Sequence, residues 1–414
     1  MLYGKSQLTN ERLTEKSAGG KRIALVSTFL IVNAFTWYFL AAKILEGIVN
    51  QVATNNNESI VIWSLHFGAI AATTFLGTLL VKRIGRRTLF LVWTVLGVLS
   101  PVGLLTLDFS QTAGALLTSF LFGASLGVGM PNCMECFKRL TNPENRGRYG
   151  GLVMLFSGLG LFAFGLAGIK SMELSASVLV IWRIPGLLFL ILPDIEGKQL
   201  QTKRDVSYKS VVGQRSFLLY LVPWIMFSLT TYLTTPIQFG IVGQSTVELL
   251  IIVENVIIGV SALVGGFLCD TLGRKRMAIT GFALLGLGYS VLGIYPQAFS
   301  MYFYTVVDGI AWGNLFVVFV VTVWGDLSLS SPSDKHYAVG VLPFFISKFL
   351  QLTVGRDIAT LIPTYAIFSF TAFFLFLAVL PLVYAPETLP EKVMKERELK
   401  MYVEKAQEIA QKYY

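Results

Sequence analysis

Apolar residues along this chain come in long charge-free runs, 23–42, 217–233 and 362–385 among them, separated by short charged or glycine-bearing segments. A bilayer's hydrocarbon core, about 30 Å thick, is crossed by about 20 residues of helix rising about 1.5 Å each. The pattern therefore predicts twelve membrane-spanning helices, near 22–47, 59–80, 88–107, 111–137, 149–169, 175–194, 216–239, 247–268, 276–295, 299–324, 337–356 and 362–385. The expected fold class is an all-α membrane protein. Between the last two helices the only break is GRDIAT, 355–360. The first apolar run is long enough to span, so no cleaved signal is expected.

The longest interior polar stretch, EGKQLQTKRDVSYKSVVGQR at 196–215, splits the helices six and six. The expected organisation is a tail over 1–21, a six-helix bundle over 22–195, a linker over 196–215, a second bundle over 216–385 and a tail over 386–414. In the last tail Leu399, Val403, Ala406, Ala410 and Tyr413 fall on one face of a short amphipathic helix.

Composition agrees with burial in lipid. The chain is 54% hydrophobic and 14% charged, against about 45–50% and about 25% for soluble domains. Its mean hydropathy is +0.66. The net charge of +9 needs no nucleic acid to explain it. With both termini on one side, 28 of the 33 lysines and arginines fall on that side. That is the asymmetry of cytoplasmic loops, so a multi-pass protein of the plasma membrane with both termini inside is expected. Cys133 and Cys136 form a C-x-x-C on a helix in a chain with two histidines, which points to no metal or redox centre. No Walker loop, nucleophile elbow or zinc helix occurs, so neither an enzyme nor a cofactor is expected.

One loop occurs twice. VKRIGRR at 81–87 and DTLGRKR at 270–276 lie between the second and third helices of their respective halves. Internal repetition of this kind is found in transporters whose solute site lies between two halves. The second copy, GFLCDTLGRKR, resembles the signature loop of the major facilitator superfamily, with Gly266, Leu268, Asp270, Gly273, Arg274 and Lys275 in matching places. The first copy keeps Gly85, Arg86 and Arg87 but has Thr78 for the first glycine and Lys82 for the aspartate. The resemblance implies two pseudo-symmetric six-helix bundles, alternating access, and an aspartate at 270 that pairs with neighbouring basic groups to latch one conformation.

Finer features resemble the sugar-porter and metabolite:proton symporter branch. Pro143, Arg146 and Gly147 match its loop after the fourth helix, with Glu135 upstream as the acid partner. PETLP at 386–390 resembles its ending, and WGDLSLSSPSDK at 324–335 is a looser echo of its loop after the tenth helix. Other positions depart. The seventh helix lacks the paired glutamines of sugar recognition, and Ser119 replaces a common arginine. Asn33 and Thr36 stand where related proton symporters carry acids. The resemblance implies a monomeric secondary transporter of a small polar solute, a sugar or organic acid, with protons as the coupling ion. The alternatives are a facilitator of the same fold and a transporter-like sensor that binds solute without moving it.

Ionisable groups inside the membrane are costly and mark function by default. Glu254, Asp308 and Lys348 fall roughly 10, 14 and 16 Å into the eighth, tenth and eleventh helices. With Asn33 and Thr36 they are the candidates for the cavity and for coupling. Asp308 and Lys348 are expected to pair, either as a gating, solute-linked couple or as a permanent structural ion pair. Arg183, midway along the sixth helix, is expected to pair with a neighbour or to snorkel.

Overall fold

The computed structural model describes residues 2–109, 111–167, 171–191, 206–328, 332–355, 362–389, 399 and 403. Among them the regular structure is helical, and twelve helices have membrane-crossing length. These are α1 (Leu2–Val52), α2 (Asn56–Ile84), α3 (Arg86–Thr106), α4 (Thr112–Leu140), α5 (Arg146–Ala167) and α6 (Met172–Ile191). Then follow α7 (Arg215–Val242), α8 (Gln244–Leu272), α9 (Arg274–Ile294), α10 (Ala298–Leu327), α11 (Asp334–Thr353) and α12 (Thr364–Tyr384). Among the described residues ten helices are both long and apolar enough by composition to cross a membrane. The expected all-α fold is what the chain adopts.

Local chemistry sets the helix ends. Asn55 accepts the Glu58 N–H and Ser171 the Leu174 N–H, so α2 and α6 start on side-chain caps. The α2–α3 and α8–α9 turns each hinge on one glycine with positive φ, Gly85 at 78° and Gly273 at 102°, a region that costs a residue with a Cβ. The α4 helix breaks at Val128–Gly129, just ahead of Pro131, whose ring cannot continue the ladder. Inside α10 the segment Val317–Thr322 is a π-helical turn.

Several helices run further than hydropathy predicts. The fourth continues to Leu140, the tenth to Leu327, and the eleventh begins at Asp334. The extra turns of the tenth and eleventh carry Asp326 and Asp334, polar side chains buried against partner helices. A hydropathy pattern sees such turns as loop. Residues 356–360 of the break, residues 196–205 of the linker and the tail helix lie outside the described residues, apart from exposed helical Leu399 and Val403. The described part of the linker holds a short helix, Tyr208–Val212, capped by Ser207.

The first six helices pack on one another chiefly through α2–α4 and α1–α4, and the last six through α9–α12, α8–α10 and α9–α10. Two seams join the groups, α5 against α8 and α2 against α11. The outward faces are apolar: Phe370, Phe373 and Leu380 of α12 and Leu249, Val260 and Phe267 of α8 are exposed. The interior holds Asp270, Arg274, His66 and Asn132, each at 0% exposure. Apolar outside and charged inside is the arrangement a bilayer demands, and the protein is a multi-pass membrane protein.

Candidate functional site

The face carrying loops 82–87, 138–148 and 274–276 is the basic face, and here the α5–α8 seam closes. Asp270, in the last turn of α8, accepts the N–H of Gly147 at 2.8 Å and of Arg148 at 2.9 Å. These are first-turn amides of α5, which have no partner within their own helix and carry the positive end of its dipole. Arg274 approaches the same carboxylate at 3.2 Å and Arg148 at 3.8 Å. The backbones approach so closely that a Cβ on Gly266 would lie 2.3 Å from the Gly147 carbonyl oxygen. On Gly147 it would lie 2.6 Å from the Asp270 carboxylate. Both positions have to be glycine for this seam to shut.

Asp326, at the end of α10, bridges the halves a second time. One oxygen pairs with Arg146 of α5 and the other accepts from Arg274 Nε at 3.1 Å. Arg274 also donates to the Cys269 carbonyl at 2.9 Å and to that of Pro143. Two carboxylates thus meet two guanidiniums with almost every donor used, which a buried charge cluster requires. Glu387, from the PETLP segment, accepts the Arg274 and Lys275 amides at 2.9 and 3.2 Å and so caps α9. Lys275 in turn donates to the Val383 carbonyl at 2.7 Å.

Glu135 is not the acid partner of Arg146. It accepts the Ser333 N–H at 2.5 Å, together with the Ser333 hydroxyl, at the start of α11. The guanidinium of Arg146 reaches across to α10 instead. In the first-half loop Gly85 makes its turn, Arg86 is buried, and Arg87 and Lys82 are exposed. With Lys82 in place of an acid, the carboxylate at the head of α11 comes from α4, whereas α8 supplies the one at the head of α5.

Behind this closure a cavity of about 20 Å³ lies between the halves, lined among others by Phe35, Leu126, Met130, Trp324, Tyr337 and Phe345. That is space for about one water. None of Asn33, Thr36, Glu254, Asp308 or Lys348 lines it. Asn33 faces α6, where its side-chain oxygen accepts from Arg183 at 2.9 Å, its amide donates to the Trp182 carbonyl and its own carbonyl accepts from the Trp182 indole at 3.0 Å. Thr36 faces Gly160 of α5.

The expected Asp308–Lys348 pair does not form among the described residues, either as a gate or as a structural bridge. Lys348 donates to Gln351 at 2.7 Å and sits 5.5 Å from the Tyr232 ring, with Glu46 of α1 as its electrostatic partner. Asp308 instead lies beside Glu254 across the α8–α10 contact. The reason is helix facing: α10 turns Asp308 into the second bundle, toward α8 and α9, while Lys348 lies on the side of α11 that looks at α7. Arg183 neither snorkels nor meets an acid among the described residues. It is 2% exposed, its guanidinium 4.3 Å from the Trp93 ring and 5.9 Å from that of Trp37. Sequence reading missed this box because its walls come from α1, α3 and α6.

His66 is a packing residue: it stacks on Tyr38 at 8° and contacts the Ser119 carbonyl at 3.0 Å. Trp324 lines the small cavity, and Trp37, Trp224 and Trp312 are buried in aromatic clusters.

No protein-family model and no curated protein matches the chain. Among solved structures it is similar to a major facilitator superfamily proton:xylose symporter, XylE, bound to 6-bromo-6-deoxy-D-glucose. The likeness has a TM-score of 0.67 at 17% identity and covers 90% of this chain and 97% of that one. At that identity it is the architecture that is shared, and the chain has the major facilitator superfamily fold.

Proposed function

We propose that the protein is a secondary transporter, moving a small polar solute across the plasma membrane by alternating access as a monomer, and that this structure is its conformer closed at the basic face. The basic face is then cytoplasmic, and 22–195 and 216–385 are the two moving bodies, joined by 196–215. The observation that carries the reading is Asp270, a carboxylate on one half capping the first turn of a helix on the other. A permanent fold contact would not need charge at a seam. A contact made in one state and lost in the other needs one that water can replace.

Asp326 strengthens the same reading, since it holds Arg146 of the first half and Arg274 of the second at once. The symporter named above takes xylose with a proton, so sugars and a proton gradient are the first class to test. Organic acids follow, because α7 lacks the glutamines of sugar recognition.

The test is uptake and counterflow in proteoliposomes against a panel of labelled sugars and carboxylates, with and without a pH gradient. A transporter exchanges label across the membrane for at least one member. Accumulation that follows the pH gradient marks a symporter, and exchange without accumulation marks a facilitator. Saturable binding with no counterflow for any bound solute would overturn the reading in favour of a sensor.

A further inference from the structure

Outward of the small cavity, away from the closed seam, lies a cation that the gate does not use. Phe35 of α1 and Phe345 of α11 line the cavity, and both helices run away from the basic face. Three residues further along each, about 4.5 Å outward, come Tyr38 and Lys348. Side chains bridge the two helices at this level, Tyr38 meeting Phe345 edge-on at 5.7 Å. Beside them Phe67 of α2 meets Phe349 of α11 at 6.0 Å.

Lys348 is turned away from lipid. Ile346, 52% exposed, marks the lipid side of α11. Two residues on is about 200° round the helix, and there Lys348 is half-buried. Its ammonium can donate several hydrogen bonds. One goes to the neutral side-chain oxygen of Gln351 at 2.7 Å, and the Tyr232 ring of α7 lies 5.5 Å away.

Among the described residues no carboxylate forms an ion pair with Lys348. Glu46 of α1 acts on it from an exposed position, two turns beyond Tyr38, without pairing. The facing wall is uncharged: Tyr38 stacks on His66 at 8°, and His66 is bound to the Ser119 carbonyl at 3.0 Å. The gate cations differ, since Arg146 and Arg274 each meet a carboxylate directly. A cation held at bilayer depth without a paired anion is costly. The Tyr232 face offsets part of that cost, and a ligand that brings an anion offsets the rest. An uncharged sugar would leave the ammonium as it is.

We infer that Lys348 determines the solute class, and that the solute is a small monocarboxylate. Its carboxylate accepts from the Lys348 ammonium, and the remainder lies against Tyr38, Tyr232 and Phe349. One lysine balances one negative charge, and the aromatic walls give the second carboxylate of a diacid no donor of its own charge class. Movement of the solute rests on the transporter reading, whereas binding of the carboxylate at Lys348 does not.

The test combines counterflow in proteoliposomes with binding to the protein in lipid nanodiscs. The probes are lactate, mandelate and gluconate, with lactamide, mandelamide and glucose as their uncharged counterparts. At least one acid should exchange and bind in the wild type, and its uncharged counterpart should not compete. This comparison needs no variant. Lys348→Gln should raise the half-saturating concentration about ten- to hundredfold at an unchanged melting temperature, while Lys348→Arg should stay close to the wild type. A lysine that only held the fold would alter melting or maximal rate without this dependence on solute charge. Glucose exchange that no carboxylate inhibits overturns the proposal and keeps the transporter reading. Binding of none of the three acids, or equal half-saturation in folded Lys348→Gln, also overturns it. A carboxylate that binds the wild type, fails to bind Lys348→Gln and shows no counterflow keeps the site and removes the transporter reading.

Discussion

Asp270 shows how much one side chain at a helix end can decide. It accepts two first-turn amides of α5 and faces Arg274 and Arg148, so its charge is held by a dipole and two cations together. Asp270→Asn keeps the shape and loses the charge. Hydrogen bonds to a charged group contribute about 1.5–3 kcal/mol, which translates into a roughly ten- to hundredfold shift of the closed–open ratio toward open. Exchange rates in proteoliposomes should fall while expression and insertion stay at wild-type level; unchanged rates at matched protein level would remove Asp270 from the gate. Arg183 illustrates the opposite case. Its guanidinium is buried between two tryptophan faces and an asparagine oxygen, a planar fit that an ammonium does not reproduce. Nothing in that box opens between the halves, and its role is to hold α1, α3 and α6 together.

At the scale of elements the determining feature is contact distance. The α5–α8 seam closes because Gly147 and Gly266 present bare backbone to each other, and a Cβ on Gly266 would lie 2.3 Å from the facing carbonyl oxygen. Backbone cannot yield as a flexible side chain does, so Gly266→Ala should wedge the seam apart. Overpacking costs typically about 1–3 kcal/mol, charged here to the closed conformer alone. Cysteines placed at exposed positions near the basic ends of α5 and α8 should cross-link in the parent protein and several-fold more slowly in Gly266→Ala. Equal rates would mean that the seam is not under steric control. The glycine turns act differently: Gly85 and Gly273 are required by positive φ rather than by space between helices.

For the whole molecule, two seams join the halves, and on the transporter reading they set the balance between states. The α5–α8 seam ends in the Asp270, Asp326, Arg146 and Arg274 cluster, whose formal charges cancel. Opening it returns four charges to water. The closed state is therefore stabilised by complete pairing, and breaking one member leaves the others buried and uncompensated. Asp326→Asn strips Arg146 and Arg274 of a shared counter-ion at once. Spin labels on the basic ends of α5 and α8 should report mainly the short distance in the parent and mainly a longer one in Asp326→Asn. A distribution that does not move would show that the halves are held by packing alone. At the basic end of the α2–α11 seam Glu135 accepts from Ser333.

The amino-acid sequence by itself determined the membrane class, twelve helices and the two basic glycine loops, because each follows from local composition: charge-free runs long enough to span, glycines where chains turn, cations where loops stay out of the membrane. It also supplied the members of the charge cluster as types and places, Asp270, Arg146 and Arg274 among them. Which acid meets which base was decided only by tertiary structure. Arg146 takes Asp326 rather than Glu135, and Asp308 lies beside Glu254 rather than Lys348, because a partner depends on the rotation of each helix about its axis and on neighbours distant along the chain. Hydropathy is blind to both. For the same reason Asn33 and Thr36, read as cavity residues from their order along α1, face α6 and α5, where packing against Trp182 and Gly160 determines their direction.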